Sequence, residues 1–372
     1  MIRLSRGAQR FCFLALICCW PLFASATLKP WFDPSEYIEV LQRCAGQANH
    51  IIFPKTAPKL TYKKVYSSPE IGLHNRWELW LSPDGATMVV NLRGTVSSMD
   101  NGLENIFAAM IPATGALKLS DTGLFHYRFA ADAHAYIHAG WTIGICSMIP
   151  DIISRAQEQY NKGVKNMIIE GHSQGGALAF LLRSYLHYQT LANNFPADMI
   201  IKTYCSAAPK PGNLNYAYDY NFITRDGWGL TVVNSLDWVP EMPFTIQRYS
   251  DINEVNPFTG NKTTLKKQNF FVRLYLRHVY NRTNRATRKA QHRYERYLGR
   301  TVYRFLRRYL PDSERPQFVH SASYMPAGIP VVLIPDEAYH KQFSGIKNHM
   351  FRHHFYEQYY FLVRHIYMKE GV

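Results

Sequence analysis

The sequence predicts an α/β fold: a largely parallel central sheet with helices on both faces and a basic helical insertion towards the C-terminal end. Three observations carry this. Between Tyr62 and Phe244, short apolar strand-like segments alternate with helix formers, the order that builds βαβ units and a parallel sheet. Gly171-His172-Ser173-Gln174-Gly175-Gly176 lies between an apolar strand and an unbroken helix former, the setting in which a sharp turn holds a serine hydroxyl exposed. After Phe244 the composition changes. From Lys262 to Leu310 there are fifteen Lys or Arg residues and one acid, Glu295, so this stretch accounts for nearly all of the net charge of +15.

Residues 1–26 read as a secretory leader. Arg3, Arg6 and Arg10 form its positive end, Phe11 to Phe23 its apolar core, and Ala24-Ser25-Ala26 its cleavage site. Cleavage near Ala26 leaves a mature chain that is secreted, periplasmic or on the cell surface. The remainder, 27–372, is read as one domain, with the basic insertion at about 246–328. It keeps Cys44, Cys146 and Cys205. An odd number allows at most one internal disulfide, and Cys146 and Cys205 sit in apolar segments suited to buried thiols. No Cys/His cluster has zinc spacing, no Gly-rich loop has phosphate-binding form and no acidic cluster suits calcium, so neither metal nor other cofactor is expected.

Two segments, 74–81 and 86–92, are joined by Ser82-Pro83-Asp84-Gly85 and read as a hairpin entering the sheet. A long helix is expected over 133–160, with Gly140, Gly144 and Pro150 as challenges to its continuity. Strand 165–170 leads into the serine turn and helix 177–186, and further strands are expected at 199–206, 230–235 and 330–335. In the basic region Leu298, Val302, Phe305 and Tyr309 form an apolar stripe at helical spacing, while Arg296, Arg300, Arg304 and Arg308 recur on another face. A His- and aromatic-rich helix is expected over 349–368.

A serine hydroxyl is a poor nucleophile near neutral pH, so Ser173 needs a histidine to take its proton and an acid to orient that histidine. Asp237 ends the strand Thr231-Val232-Val233-Asn234-Ser235-Leu236-Asp237, at the sheet edge where α/β folds bind ligands. A turn-capping aspartate is the other reading of that residue. For the histidine, the C-terminal cluster His340, His349, His353 and His354 is the place to look, while those at 278, 292 and 320 look like surface residues.

Several motifs in one order resemble the class 3, or fungal-type, lipases. Asn91-Leu92-Arg93-Gly94-Thr95 is similar to that family's R-G-T segment, and His138-Ala139-Gly140-Trp141 to its H-x-G-F. Ala208-Pro209-Lys210-Pro211-Gly212-Asn213 resembles its A-P-R-x-G-N turn, and Val233 to Pro240 its V-N-x-x-D-x-V-P motif. The resemblance implies an α/β-hydrolase fold, Ser173 as nucleophile and Asp237 as acid. It implies an oxyanion hole from the N–H of Gln174 and from Thr95. The family's histidine often precedes a tyrosine by five positions, which favours His354, before Tyr359, over its rivals His349 and His353. The basic insert is larger than usual for the family.

The resemblance implies a carboxylic ester hydrolase with a lipid or other ester substrate, a triacylglycerol lipase or esterase first. The alternative is a non-catalytic protein that binds an anionic surface or membrane on a hydrolase scaffold. Residues 103–111 occupy the family's lid position; they read either as a cover offering Leu103, Ile106, Phe107 and Met110 to lipid or as an ordinary packed helix. The basic insert reads as a solvated helical hairpin or as a dock for an anionic membrane or lipopolysaccharide surface. Nucleic acid is not an expected partner.

Overall fold

The computed structural model describes residues 28–48, 58–120, 123–253, 255–256, 269–345 and 349–368. The leader at 1–26 and part of the insert, 257–268, lie outside the described residues.

The chain opens with helix α1 (Pro34–Gln47), then strands β1 (Lys63–Ser67), β2 (Trp77–Leu81) and β3 (Thr87–Leu92). Next come α2 (Met99–Ile106), β4 (Met110–Pro112), β5 (Thr114–Ser120), β6 (Gly123–Arg128), β7 (Tyr136–His138) and α3 (Ala139–Asn161). The middle runs β8 (Asn166–His172), α4 (Gln174–Leu191), β9 (Ile200–Ser206), β10 (Gly212–Asn213), α5 (Leu214–Ile223) and β11 (Gly229–Asn234). The last part holds α6 (Phe270–Glu295), α7 (Val302–Leu306), β12 (Tyr324–Met325), β13 (Ile329–Leu333), α8 (Glu337–Gln342) and α9 (Tyr356–Val363).

Seven strands form the main sheet in the order β1-β2-β3-β8-β9-β11-β13. The expected hairpin is β2–β3, antiparallel, with Ser82 and Thr87 bonded across its turn. From β3 onwards every pairing is parallel. Strand β8 is buried at all seven positions, as a parallel strand covered on both faces must be. Its residues alternate between two cores. Met167 and Ile169 face α3 and α4, while Ile168 faces α1 and α9. A smaller sheet, β12-β10-β7-β4, joins the loop after β9 to the segment before α3.

Helix α1 was not anticipated. Asp33 caps it by accepting from the N–H groups of Ser35 and Glu36, and Pro34 occupies the first turn, a favoured helix start. Arg43 bolts it to β8 through a two-pronged, fully buried ion pair with Glu170, both arms at 2.8 Å.

Three expectations need correction. The helix expected from 133 begins at Ala139, because Tyr136–His138 pairs as β7 with β4 and β10; Pro150 lies inside it without ending it. The apolar stripe of the basic region is displaced: Val302, Tyr303 and Leu306 are buried, whereas Phe305 and Tyr309 are exposed. A wider turn, with N–H groups reaching back five residues, runs over Arg296–Thr301 and shifts the face turned inwards. Of the histidine cluster, His349, His353 and His354 lie in turns ahead of α9 and not within the helix expected over 349–368, whereas His340 lies on α8.

The lid-like segment is also not free to present all of its apolar residues. Phe107 and Met110 are fully buried, and Phe107 packs on Tyr303 and Phe318 from the basic insert. Of the four residues named for lipid contact, Ile106 alone is exposed.

Candidate active site

Strand β8 delivers Ser173 to the first turn of α4 with φ 59° and ψ −127°, a conformation that costs a non-glycine residue roughly 1–3 kcal/mol. The Ser173 N–H donates to the Ser206 carbonyl of β9 at 2.9 Å. Two glycines make the turn fit. A Cβ on Gly171 would fall on the Gly175 carbonyl, and one on Gly175 would fall on the Leu92 carbonyl at the end of β3.

Asp237 lies three residues beyond β11 and is buried. Its N–H donates to the Asn234 carbonyl at 2.9 Å and its Oδ1 accepts from the Val239 N–H at 3.0 Å. The other oxygen, Oδ2, faces Nδ1 of His354 at 2.7 Å and accepts from the Tyr359 hydroxyl at 2.8 Å. His354 is itself nearly buried.

The other two histidines are engaged elsewhere. His353 has Nδ1 on the Tyr339 hydroxyl at 2.8 Å and Nε2 accepting from Arg352 Nε at 2.7 Å. His349 accepts the Phe351 N–H in an exposed turn. Of the three candidates, His354 meets Asp237.

His172 ties this pair to the serine turn. Its Nε2 donates to the His354 carbonyl at 2.8 Å, and the two rings are 4.8 Å apart. Its Nδ1 lies 2.9 Å from Ser206 Oγ, which in turn lies 2.6 Å from the Tyr37 hydroxyl on α1. With Nε2 donating, the neutral ring must accept at Nδ1. Burial, and then the neighbouring His354, push the His172 pKa well below its ordinary value, so it serves as a fixed neutral strut.

Thr95 is exposed in the loop after β3 and reaches the elbow through its side chain. Its hydroxyl donates to Gln174 Oε1 at 3.1 Å and accepts from Asn105 Nδ2 at 3.0 Å. Gln174 opens α4, and an N–H that opens a helix has no carbonyl four residues back within it. Asn105 sits at the centre. It donates to Gln174 Oε1 at 3.0 Å, accepts from Trp141 Nε1 at 2.8 Å, and its carbonyl accepts from His138 Nε2 at 3.2 Å. His138 and Trp141 stack 3.6 Å apart, which gives the H-x-G-W segment a physical purpose: it clamps Asn105. Burial drives His138 down to about 3, so this clamp also stays neutral.

Beneath lies Glu104, fully buried. Its Oε1 accepts from Gln174 Nε2 at 3.0 Å and its Oε2 from Asn75 Nδ2 at 2.7 Å. Asn75, Glu104, Asn105 and the bonding role of Tyr359 were missed from sequence. The tyrosine's spacing from His354 was visible, whereas the others are polar residues in unremarkable local contexts. Among the described residues, no group of three or more His, Cys, Asp or Glu could hold a metal ion.

A parallel sheet, a serine elbow at the end of one of its strands and an Asp–His pair at the carboxyl edge define an α/β-hydrolase. Within that class, residues 89–247 match the model of the class 3 lipase family. No curated protein matches it. Solved structures similar to it include a Rhizomucor miehei lipase propeptide complex, at 15% identity over 56% of this chain and TM-score 0.36. That match covers 62% of the other chain, less than two thirds of its length. A triacylglycerol lipase from Penicillium expansum matches at 19% identity over 57% of this chain and 74% of its own, TM-score 0.38. Lip2 lipase from Yarrowia lipolytica matches at 17%, over 59% and 78%, TM-score 0.41.

Proposed function

We propose that this chain is an exported serine hydrolase that cleaves carboxylic esters of lipids, triacylglycerol first among them. The observation that carries the reading is the buried His354–Asp237 pair, 2.7 Å apart and anchored by a bond from His172, the residue next to Ser173, to the His354 carbonyl. Ser173 Oγ attacks the ester carbonyl while His354 Nε2 takes its proton, and Asp237 stabilises the imidazolium through Nδ1. The N–H of Gln174 and Thr95 meet the negative oxygen of the tetrahedral intermediate. Each such donor contributes about 100- to 1,000-fold to the rate. His354 returns its proton to the departing alcohol, leaving an acyl-serine. Water, deprotonated by the same histidine, then releases the acid and restores the hydroxyl.

Export rests on the leader pattern of Arg3, Arg6 and Arg10 before an apolar core, and the N-terminal sequence of the mature protein tests it. A second partner, an anionic membrane surface met through the basic insert, is supported by that insert's exposed cations.

The deciding experiment is labelling with a fluorophosphonate probe, followed by fatty-acid release from a triacylglycerol emulsion. Wild type labels and hydrolyses, and Ser173→Ala does neither. A chain that folds but never labels would instead be a binding protein on a hydrolase scaffold.

A further inference from the structure

Helix α6 is 26 residues long, about 39 Å at 1.5 Å per residue, and it is held at its C-terminal end and at its middle. Gln291, Tyr294 and Glu295 are buried at its C-terminal root. Midway, Tyr280 stacks on Tyr249 at 4.7 Å and Thr283 bonds the Tyr249 hydroxyl at 3.0 Å. Its first two turns stand clear of the body. There Phe270, Phe271, Val272, Leu274, Tyr275 and Leu276 are between 42% and 75% exposed. Consecutive positions point all round a helix, so the apolar surface is a tip and not a stripe; it is interrupted by Arg273, whose guanidinium lies 5.8 Å from the Phe270 ring centroid. Beyond it the shaft carries exposed Arg277, Arg282, Arg285, Arg288, Lys289 and Arg293. None of these six has an ion-pair partner among the described residues. The helix has one acid, Glu295 at the root, already paired with Arg300 and His320.

This axial order is unlike that of a helix lying flat on a membrane, which needs an apolar stripe along its length. An apolar end followed by a cationic shaft fits insertion end-on. Seven residues span about 10 Å, the depth of the headgroup and acyl boundary. The cations that follow then stand at the level of lipid phosphates. We propose that α6 is a prong that enters an anionic bilayer by its N-terminal tip, with Phe270, Phe271 and Leu274 in the acyl boundary and the arginines of the shaft against the phosphates. This rests on reading the basic insert as a surface contact and assigns that contact its orientation and its residues; it does not depend on ester hydrolysis.

The test uses the full chain and vesicles of phosphatidylcholine, with or without phosphatidylglycerol. Cosedimentation is expected with phosphatidylglycerol vesicles and not with phosphatidylcholine alone, and should weaken with salt. Phe271→Asp with Leu274→Asp should lower binding by about tenfold or more. Arg282→Gln, Arg285→Gln and Lys289→Gln together should lower it by about tenfold and flatten its salt dependence. An environment-sensitive dye on Phe271→Cys should brighten on anionic vesicles, whereas the same dye on Lys289→Cys should not. Fluorophosphonate labelling, unchanged in every variant, reports an intact fold; vesicle binding without labelling would sink the hydrolase and leave the prong standing. Equal binding to neutral vesicles, equal dye responses at both positions, or a tip that mediates only self-association or only nucleic-acid capture would each overturn the proposal.

Discussion

Tyr359 donates its hydroxyl to the same oxygen of Asp237, Oδ2, that faces His354. The same hydroxyl accepts the Asn234 N–H at 3.1 Å, so it joins the end of β11 to the carboxylate. Tyr359→Phe keeps the ring and removes both bonds. It leaves a buried N–H and a buried carboxylate each short of a partner, at a cost of about 1–3 kcal/mol. The expected outcome is a lower unfolding midpoint in urea and a several-fold fall in kcat with little change in KM. A variant of wild-type stability would show that the hydroxyl is not needed there.

The three candidate histidines separate by what each touches. His354→Ala should lower hydrolysis by about 10,000-fold or more, since removing one member of such a unit removes nearly all of its effect. His349→Ala, in an exposed turn, should stay within a few-fold of wild type. His353→Ala frees the Tyr339 hydroxyl and Arg352, so its loss should appear in thermal stability rather than in kcat. Steady-state kinetics on a soluble ester, with melting curves, check all three together.

Much of this site was legible in the chain because its parts are local. The elbow needs two glycines and a serine within five residues, and the strand ending near Asp237 announces its own edge. His354 was marked by its distance from Tyr359, and the bond between Tyr359 and Asp237 explains that spacing physically. What could not be read was long-range. Glu104 and Asn75 are 29 residues apart and meet in a buried bond, and nothing local at either position signals burial. Helix α1 had a readable start in Asp33-Pro34-Ser35-Glu36, but its reach to Ser206 through Tyr37 depends on the sheet order. The arginine-rich segment misled for another reason: a wider turn breaks the 3.6-residue period on which the stripe argument rests.

Ser173 is held at φ 59°, a strain retained for position and not for stability. Ser173→Gly should remove it and raise the unfolding free energy by about 1 kcal/mol, while abolishing hydrolysis. Ser173→Ala keeps a Cβ in the strained conformation and should gain little. Thermal melts of the two variants side by side check the difference. Equal melting points would mean that the turn carries no such strain.

Gly140 and Gly144 let α2 dock on α3. A Cβ on Gly140 would fall on the carbonyl oxygen of Glu104, and one on Gly144 on its Oε1. Gly140→Ala must therefore move backbone, and through it Asn105, Thr95 and the proposed oxyanion donors. We expect a loss of about 2–4 kcal/mol and at least a tenfold fall in kcat. Gly144→Ala meets the end of a side chain and should cost less. The order of the two, by urea midpoint and by kcat, is the test.

Glu104 links this core to pH. Burial raises its carboxyl from 4.5 to about 8, against the bonds from Asn75 and Gln174 that favour the charged form. In the unfolded chain it ionises near its ordinary value, so between about 4.5 and 8 the folded state holds a proton that the unfolded state has lost. Its contribution to stability is therefore fully present below about 4.5, falls as pH rises, and is flat once the folded-state group has ionised above about 8. Glu170, raised by burial against the pull of Arg43, adds a slope of the same sign, so only the difference between proteins is diagnostic. Glu104→Gln mimics the neutral acid once one of the neighbouring amides rotates to accept from it. Its unfolding free energy should fall less than that of wild type between pH 5 and 8, by on the order of a few kcal/mol. Urea titrations of both proteins across that range make the comparison; parallel curves would mean that Glu104 ionises normally within the fold.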